Sequence, residues 1–129
     1  MTEATPLPTN ETQRPGLVTT LAALTLTSGI INVFFSLAIT GLLILATLGI
    51  GLVLCAPFTL LPVLLGIFEI IYGARLLSSP LQPPRPNHLI AYLEIATLIY
   101  FNPVGLAVGI IALVIYNDET VKEYFSRAI

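Results

Sequence analysis

The chain reads as an all-α integral membrane protein, a four-transmembrane-helix bundle. Three features lead there. Hydrophobic residues make up 56% of the sequence and charged residues only 9%, where a soluble domain carries about 25% charged. Residues 15 to 68 run for 54 positions without one Asp, Glu, Lys or Arg, and residues 95 to 117 add 23 more. About 20 apolar residues suffice to cross a bilayer. Finally, all five basic residues gather on one side if the chain crosses four times, as the positive-inside rule requires. A soluble helical core would need charged faces recurring at helical period, and these stretches contain none.

Residues 1–15 form a polar tail. Pro6, Pro8, Pro15 and several Thr give it nothing to bury. A basic region running straight into a short apolar stretch with a small-residue cleavage site is not evident, so the first helix is expected to act as the insertion signal. Residues 16–117 form the transmembrane domain. Within it the first helix spans about 17–46 and the second about 52–77, turning at Ala46-Thr47-Leu48-Gly49-Ile50-Gly51, where two glycines loosen the helix. Thr40-Gly41 is an alternative turn. Pro57 and Pro62 either sit in the first turns of the second helix or kink its outer half.

Residues 78–87 hold four prolines and are a loop. Residues 88–116 are interrupted by Asn102-Pro103-Val104-Gly105. They are either one tilted span kinked at Pro103, giving three spans in all, or two short helices, 88–101 and 104–117. Asn before Pro is pushed out of helical geometry, which suits a turn. Four spans place Arg14, Arg75, Arg85, Lys122 and Arg127 on the cytoplasmic side together; three spans divide them. The difficulty is length, since 14 residues rise only ~21 Å against a ~30 Å hydrocarbon core. Both termini are then cytoplasmic, in a cell (inner) membrane.

Residues 118–129 form an amphipathic cytoplasmic segment. Val121, Tyr124, Phe125 and Ala128 fall on one helical face. Asn117 or Asp118 can cap it, and Asp118–Lys122 and Glu123–Arg127 are favourable four-residue pairs. It is expected to lie on the inner surface, dock to a partner, or continue the last helix.

The run Phe101-Asn102-Pro103-Val104-Gly105-Leu106-Ala107-Val108-Gly109-Ile110-Ile111-Ala112-Leu113, with Glu119-Thr120-Val121-Lys122-Glu123-Tyr124-Phe125 after it, resembles the C-terminal part of small, uncharacterised bacterial four-helix membrane proteins. In those a Pro-x-Gly turn precedes the last helix and an acidic amphipathic tail follows. Arg14-Pro15-Gly16-Leu17-Val18-Thr19 is similar to their start. A Trp-Ala-Arg type segment common before their third helix is replaced here by the proline loop. The resemblance implies four helices and no particular activity.

Two acids, Glu69 and Glu94, lie inside apolar stretches. An ionisable group in hydrocarbon is costly and marks a candidate functional site. Glu69 lies six residues before Arg75 and Glu94 six after His88, so both sit ~9 Å above the cytoplasmic boundary. Two carboxylates brought together there cannot both ionise, which is the arrangement of a proton relay or cation site. Alternatively each acid is held by a neighbour, Glu69 by Tyr72 or Arg75 and Glu94 by Thr97, and ties helices together. Ser28, Asn32, Ser36 and Thr40 share one face of the first helix. Thr25 and Ser28 match the depth of the acids, and Tyr72 lies nearby. That face is either the wall of a polar cavity or a helix-packing surface. Gly105 and Gly109 form a small-residue pair for packing within the bundle or between copies.

Cys55 is the lone cysteine and His88 the lone histidine, so neither a disulfide within the chain nor a zinc cluster is expected. Cys55 reads as an apolar filler and His88 as an interface residue. No phosphate loop or nucleophile motif appears, and no cofactor is expected. A net charge of −2 offers no basic patch for nucleic acid. The expected partners are the lipid bilayer and other membrane subunits or further copies. The expected role is that of a non-enzymatic accessory or structural subunit. The rival is a small transporter or proton-coupled channel built on the two glutamates.

Overall fold

The computed structural model describes residues 14–78 and 83–127, and among these every regular element is helical. Helix α1 runs Gly16–Thr47, α2 Ile50–Ser78, and α3 His88–Ala96 with a 3-10 continuation Thr97–Tyr100. Helix α4 runs Pro103–Tyr116 and α5 Glu119–Ser126. Two helices, α1 and the Cys55–Ser78 part of α2, are long and apolar enough to cross a membrane, and α4 with α5 makes a third if that bent pair counts as one.

Helices α1 and α2 form an antiparallel pair joined at Leu48-Gly49, inside the expected turn. Leu48 takes a left-handed conformation at φ 51 and Gly49 follows at φ 90, the usual way to end a helix. The Thr47 hydroxyl donates to the Leu43 carbonyl at 2.5 Å and accepts the Gly51 N–H at 2.8 Å, stitching the two helix ends. Pro57 and Pro62 both lie within α2. The pair closes tightly because glycines face each other. A Cβ on Gly29 would stand 2.7 Å from the Gly66 carbonyl oxygen, and one on Gly73 would stand 2.9 Å from that of Ala22. Small residues admit such backbone approach, and packing is what associates helices in hydrocarbon.

After the proline segment, Asn87 caps α3 by accepting the Ile90 N–H. The chain does not continue straight through Pro103. It reverses at Phe101, left-handed at φ 56, and α4 returns against α3. Gly105 faces Thr97 while Gly109 faces Ala91 and Ile95, so the two helices run antiparallel. Residues 88–116 therefore do not form one kinked helix, because proline at the first position of α4 starts a helix instead of bending one.

The C-terminal segment is not a continuation of α4 either; α5 turns 77° from it. Asp118 caps α5 by accepting the Thr120 and Val121 N–H groups, and its carboxyl is held below the ordinary range, chiefly by the Thr120 hydroxyl. Lys122 pairs with Glu119 at 2.9 Å and not with Asp118, since Asp118 is committed to the cap. Glu123–Arg127 forms as expected at 3.3 Å. Val121, Tyr124 and Phe125 are buried; Ala128 lies outside the described residues. They join Val18, Leu21, Tyr72, Leu76, Ile90, Ile115 and Tyr116 in one core. Phe125 and Tyr116 rings meet at 5.8 Å.

That core occupies the end of the bundle where the cations are. The Arg14 guanidinium donates to the carbonyls of Leu76 and Leu77, capping the C-terminus of α2 with positive charge. Arg75 and Arg85 line one groove at this end, and Lys122 another beside His88. Arg14 and Arg127 both act on the Tyr124 phenol, opposing the burial that pushes its pKa up. The side-chain distribution is the reverse of a soluble protein. Asn32, Glu69 and Glu94 are 1%, 0% and 0% exposed, whereas Leu48 and Phe101 are 92% and 88% exposed.

Candidate functional site

The interior polar site begins with the α1 stripe. Ser28, Asn32 and Ser36 recur every fourth residue and all three are buried, while Thr40 at the next step is half-buried and donates to the Ser36 carbonyl at 2.7 Å. The Gly29–Gly66 contact presses α2 against this face, so Glu69, one turn beyond Gly66, points at Asn32. Asn32 Nδ2 donates to both Glu69 oxygens, at 3.1 Å to Oε1 and 2.9 Å to Oε2.

A third helix joins through its cap. Asn102 Oδ1 accepts the N–H groups of Val104 and Gly105 at 3.1 and 3.2 Å. Those bonds turn its Nδ2 outward, where it donates to Asn32 Oδ1 at 2.5 Å. Asn32 then has only its own Nδ2 left for Glu69. The polarity of the chain of amides is therefore dictated from the α4 N-terminus, and every bond in it points the same way. Hydrogen bonds aligned head to tail reinforce one another in a low dielectric.

Glu94 is different. It is fully buried, and neither carboxyl oxygen has a hydrogen-bond partner among the described residues. Glu69 and Ser28 both lie close enough to the Glu94 carboxyl to act on it, and the Ser28 hydroxyl closes no hydrogen bond to either acid. The structure thus brings Glu69, Glu94 and Ser28 to one place. It does not bring Thr25 or Tyr72 into bonding with them. Thr25 is buried further along α1, with no hydrogen bond to either acid among the described residues. The Tyr72 hydroxyl is engaged with Tyr116 at 3.0 Å and accepts the Asn87 N–H at 3.2 Å.

The neighbours expected to hold the acids are also replaced. Arg75 is exposed and lines the groove with Arg85, because it lies on the outer face of α2, away from the buried Leu76. Thr97 donates at 2.5 Å to the Glu94 main-chain carbonyl, not the carboxyl, and its own N–H reaches the same carbonyl. Asn32 and Asn102, the residues that do the holding, carry sequence signals of a polar face and a turn, which name no partner. Gly105 and Gly109 both pack against α3.

Chemically the site holds a carboxyl bound by the Asn32 amide beside a second carboxyl that has no hydrogen-bond donor among the described residues. Among the described residues no cluster of three or more His, Cys, Asp or Glu is placed to hold a metal ion. Cys55, the free thiol, is half-buried on α2. No protein family, characterised protein or solved structure matches this chain.

Proposed function

We propose that the chain is a non-enzymatic multi-pass protein of the cell (inner) membrane, acting as an accessory or structural subunit through helix packing, with both termini cytoplasmic. One observation carries the reading: the polar side chains face inward and tie helices together, while large apolar side chains cover the outside. Glu69–Asn32–Asn102 links α2, α1 and α4. Beyond Asn32, the α1–α2 pair extends past the α3–α4 turn, and Leu45 and Val53 there are 77% and 80% exposed. Lipid or another helix has to cover such a surface.

All four apolar helices enter from the leaflet that holds the cations. The α3–α4 pair is short, 9 residues plus the 4 of the 3-10 turn, and 14, or ~20 Å on each limb. Its turn shows Leu98, Ile99 and Phe101 outward and keeps Thr97 and Asn102 inward. A turn facing water would do the opposite, so this reading keeps it in hydrocarbon, a re-entrant pair in place of the third and fourth crossings expected from the sequence, with the N–H groups of Val104 and Gly105 satisfied by Asn102 as backbone at membrane depth demands. Light scattering of the purified protein across a detergent series tests the subunit role. A defined oligomer or a co-purifying membrane partner is expected; a monomer under every condition overturns it.

Glu94 favours a second reading. A buried carboxyl without a partner, next to Glu69 and Ser28, is a place for an exchangeable proton or small cation. Proteoliposome flux decides: no transport, or transport unchanged in Glu69→Gln with Glu94→Gln, removes it.

A further inference from the structure

We infer that the groove between α2 and α3 is a binding site for one anionic phospholipid of the cytoplasmic leaflet. The inference rests on the membrane placement proposed above.

The two helices leave between them a cleft of about 460 Å³. Its walls are of two kinds. Leu65 and Phe68 from α2 and Leu89 and Leu93 from α3 make an apolar trough, while Arg75 and Arg85 stand at the mouth. No acidic side chain lines it. Among the described residues neither guanidinium has a hydrogen bond or ion pair, although ion pairs do form elsewhere at this end.

Two guanidiniums, each without a partner among the described residues, above an apolar trough are complementary to one kind of molecule at this depth. A phosphate takes the forked donors of arginine in bidentate fashion, and an acyl chain lies along the leucines and Phe68. Basic pockets between helices on the cytoplasmic side bind anionic head groups in this way. A soluble anion would use the arginines and leave the trough empty; a zwitterionic lipid would fill the trough and bring a cation toward the arginines. The geometry selects the lipid that has both a chain and a net negative head.

The test is native mass spectrometry of the full chain in mild detergent, titrated with phosphatidylglycerol or phosphatidylcholine of the same acyl chains. Phosphatidylglycerol is expected to bind more tightly, with one lipid retained per chain. Arg75→Gln and Arg85→Gln should each weaken it about five-fold, as expected for one cation near an anionic head. Lys122→Gln, outside the groove, should leave it unchanged. Leu93→Trp, which fills the trough and keeps both charges, should abolish retention of either lipid. Equal retention of the two lipids, or an equal loss in Lys122→Gln, overturns the site. Arg85→Gln alters an exposed side chain outside any helix, so it remains informative if Arg75→Gln, within α2, misfolds. Binding in detergent does not depend on which way the protein faces in a membrane. Failure here and failure of the topology, read by labelling in cells, are therefore separate results.

Discussion

Asn32 reaches both oxygens of one carboxyl: its Nδ2 lies 3.1 and 2.9 Å from the two oxygens of Glu69. The Asn32 oxygen accepts from Asn102, so both polar atoms of the side chain are engaged at the point where three helices meet. Removing it strips donors from a buried carboxyl and releases the amide of a helix cap together. Asn32→Ala is expected to cost about 1–3 kcal/mol, the usual effect of leaving a buried polar group unsatisfied. Thermal unfolding in detergent checks it. A double-mutant cycle of Asn32 with Asn102 should give a coupling of about 0.6–1.7 kcal/mol, the range found for hydrogen bonds within membrane bundles.

Glycine positions should divide by what faces them. A Cβ on Gly109 would stand 2.6 Å from the Ala91 carbonyl oxygen, while one on Gly41 meets nothing within 4 Å. Gly109→Ala must push α3 and α4 apart and is expected to lose about 1–3 kcal/mol. Gly41→Ala should instead gain about 0.5–1 kcal/mol from backbone entropy. The same unfolding assay compares the two, and equal effects would mean α3 and α4 are not in close contact.

The α5 cap gives a pH dependence of known sign. The Asp118 carboxyl is held below its ordinary 3.8, first by the Thr120 hydroxyl. A depressed value stabilises the folded state above the unfolded value, and that stabilisation is lost as pH falls through the folded one. Release of α5 from Tyr116 is therefore expected only on the acid side of 3.8. The chain contains no Trp, so tyrosine fluorescence reports the release directly. Asp118→Asn keeps a capping oxygen and should flatten this part of the titration.

Depth in the bilayer is open to chemical labelling. Phe101 is 88% exposed at the α3–α4 turn. With Cys55 replaced by Ala, Phe101→Cys is expected to resist a membrane-impermeant maleimide from both sides and to react after denaturation. Ready labelling from the outer side would show that this turn crosses the bilayer.

Much of the architecture was legible because hydrocarbon leaves few choices. The Leu48-Gly49 turn and the reversal at Asn102-Pro103 are marked by glycine and proline against an apolar background, and the helix limits follow. Pairings across the bundle were not legible. Asn32 and Glu69 are 37 residues apart, and Arg14 reaches Leu76 across 62; periodicity places residues on faces but does not say which faces meet. Depth counting did put Glu69 and Glu94 at one level. It missed Asn102, whose side chain reads as a turn former and whose partner depends on how far the short pair reaches along α1. The sharp departure of α5 was hidden for a related reason. Its apolar face fits the inner membrane surface as well as it fits Tyr116.

Sidedness of the two ends of the C-terminal half gives the most direct trial. Pro86→Cys and Ser126→Cys, both at exposed positions, are placed singly in the chain lacking Cys55 and probed with an impermeant maleimide in intact cells and in inside-out vesicles. The account predicts that both react only where the cytoplasmic face is presented. One reacting in intact cells while the other reacts only in inverted vesicles would contradict it.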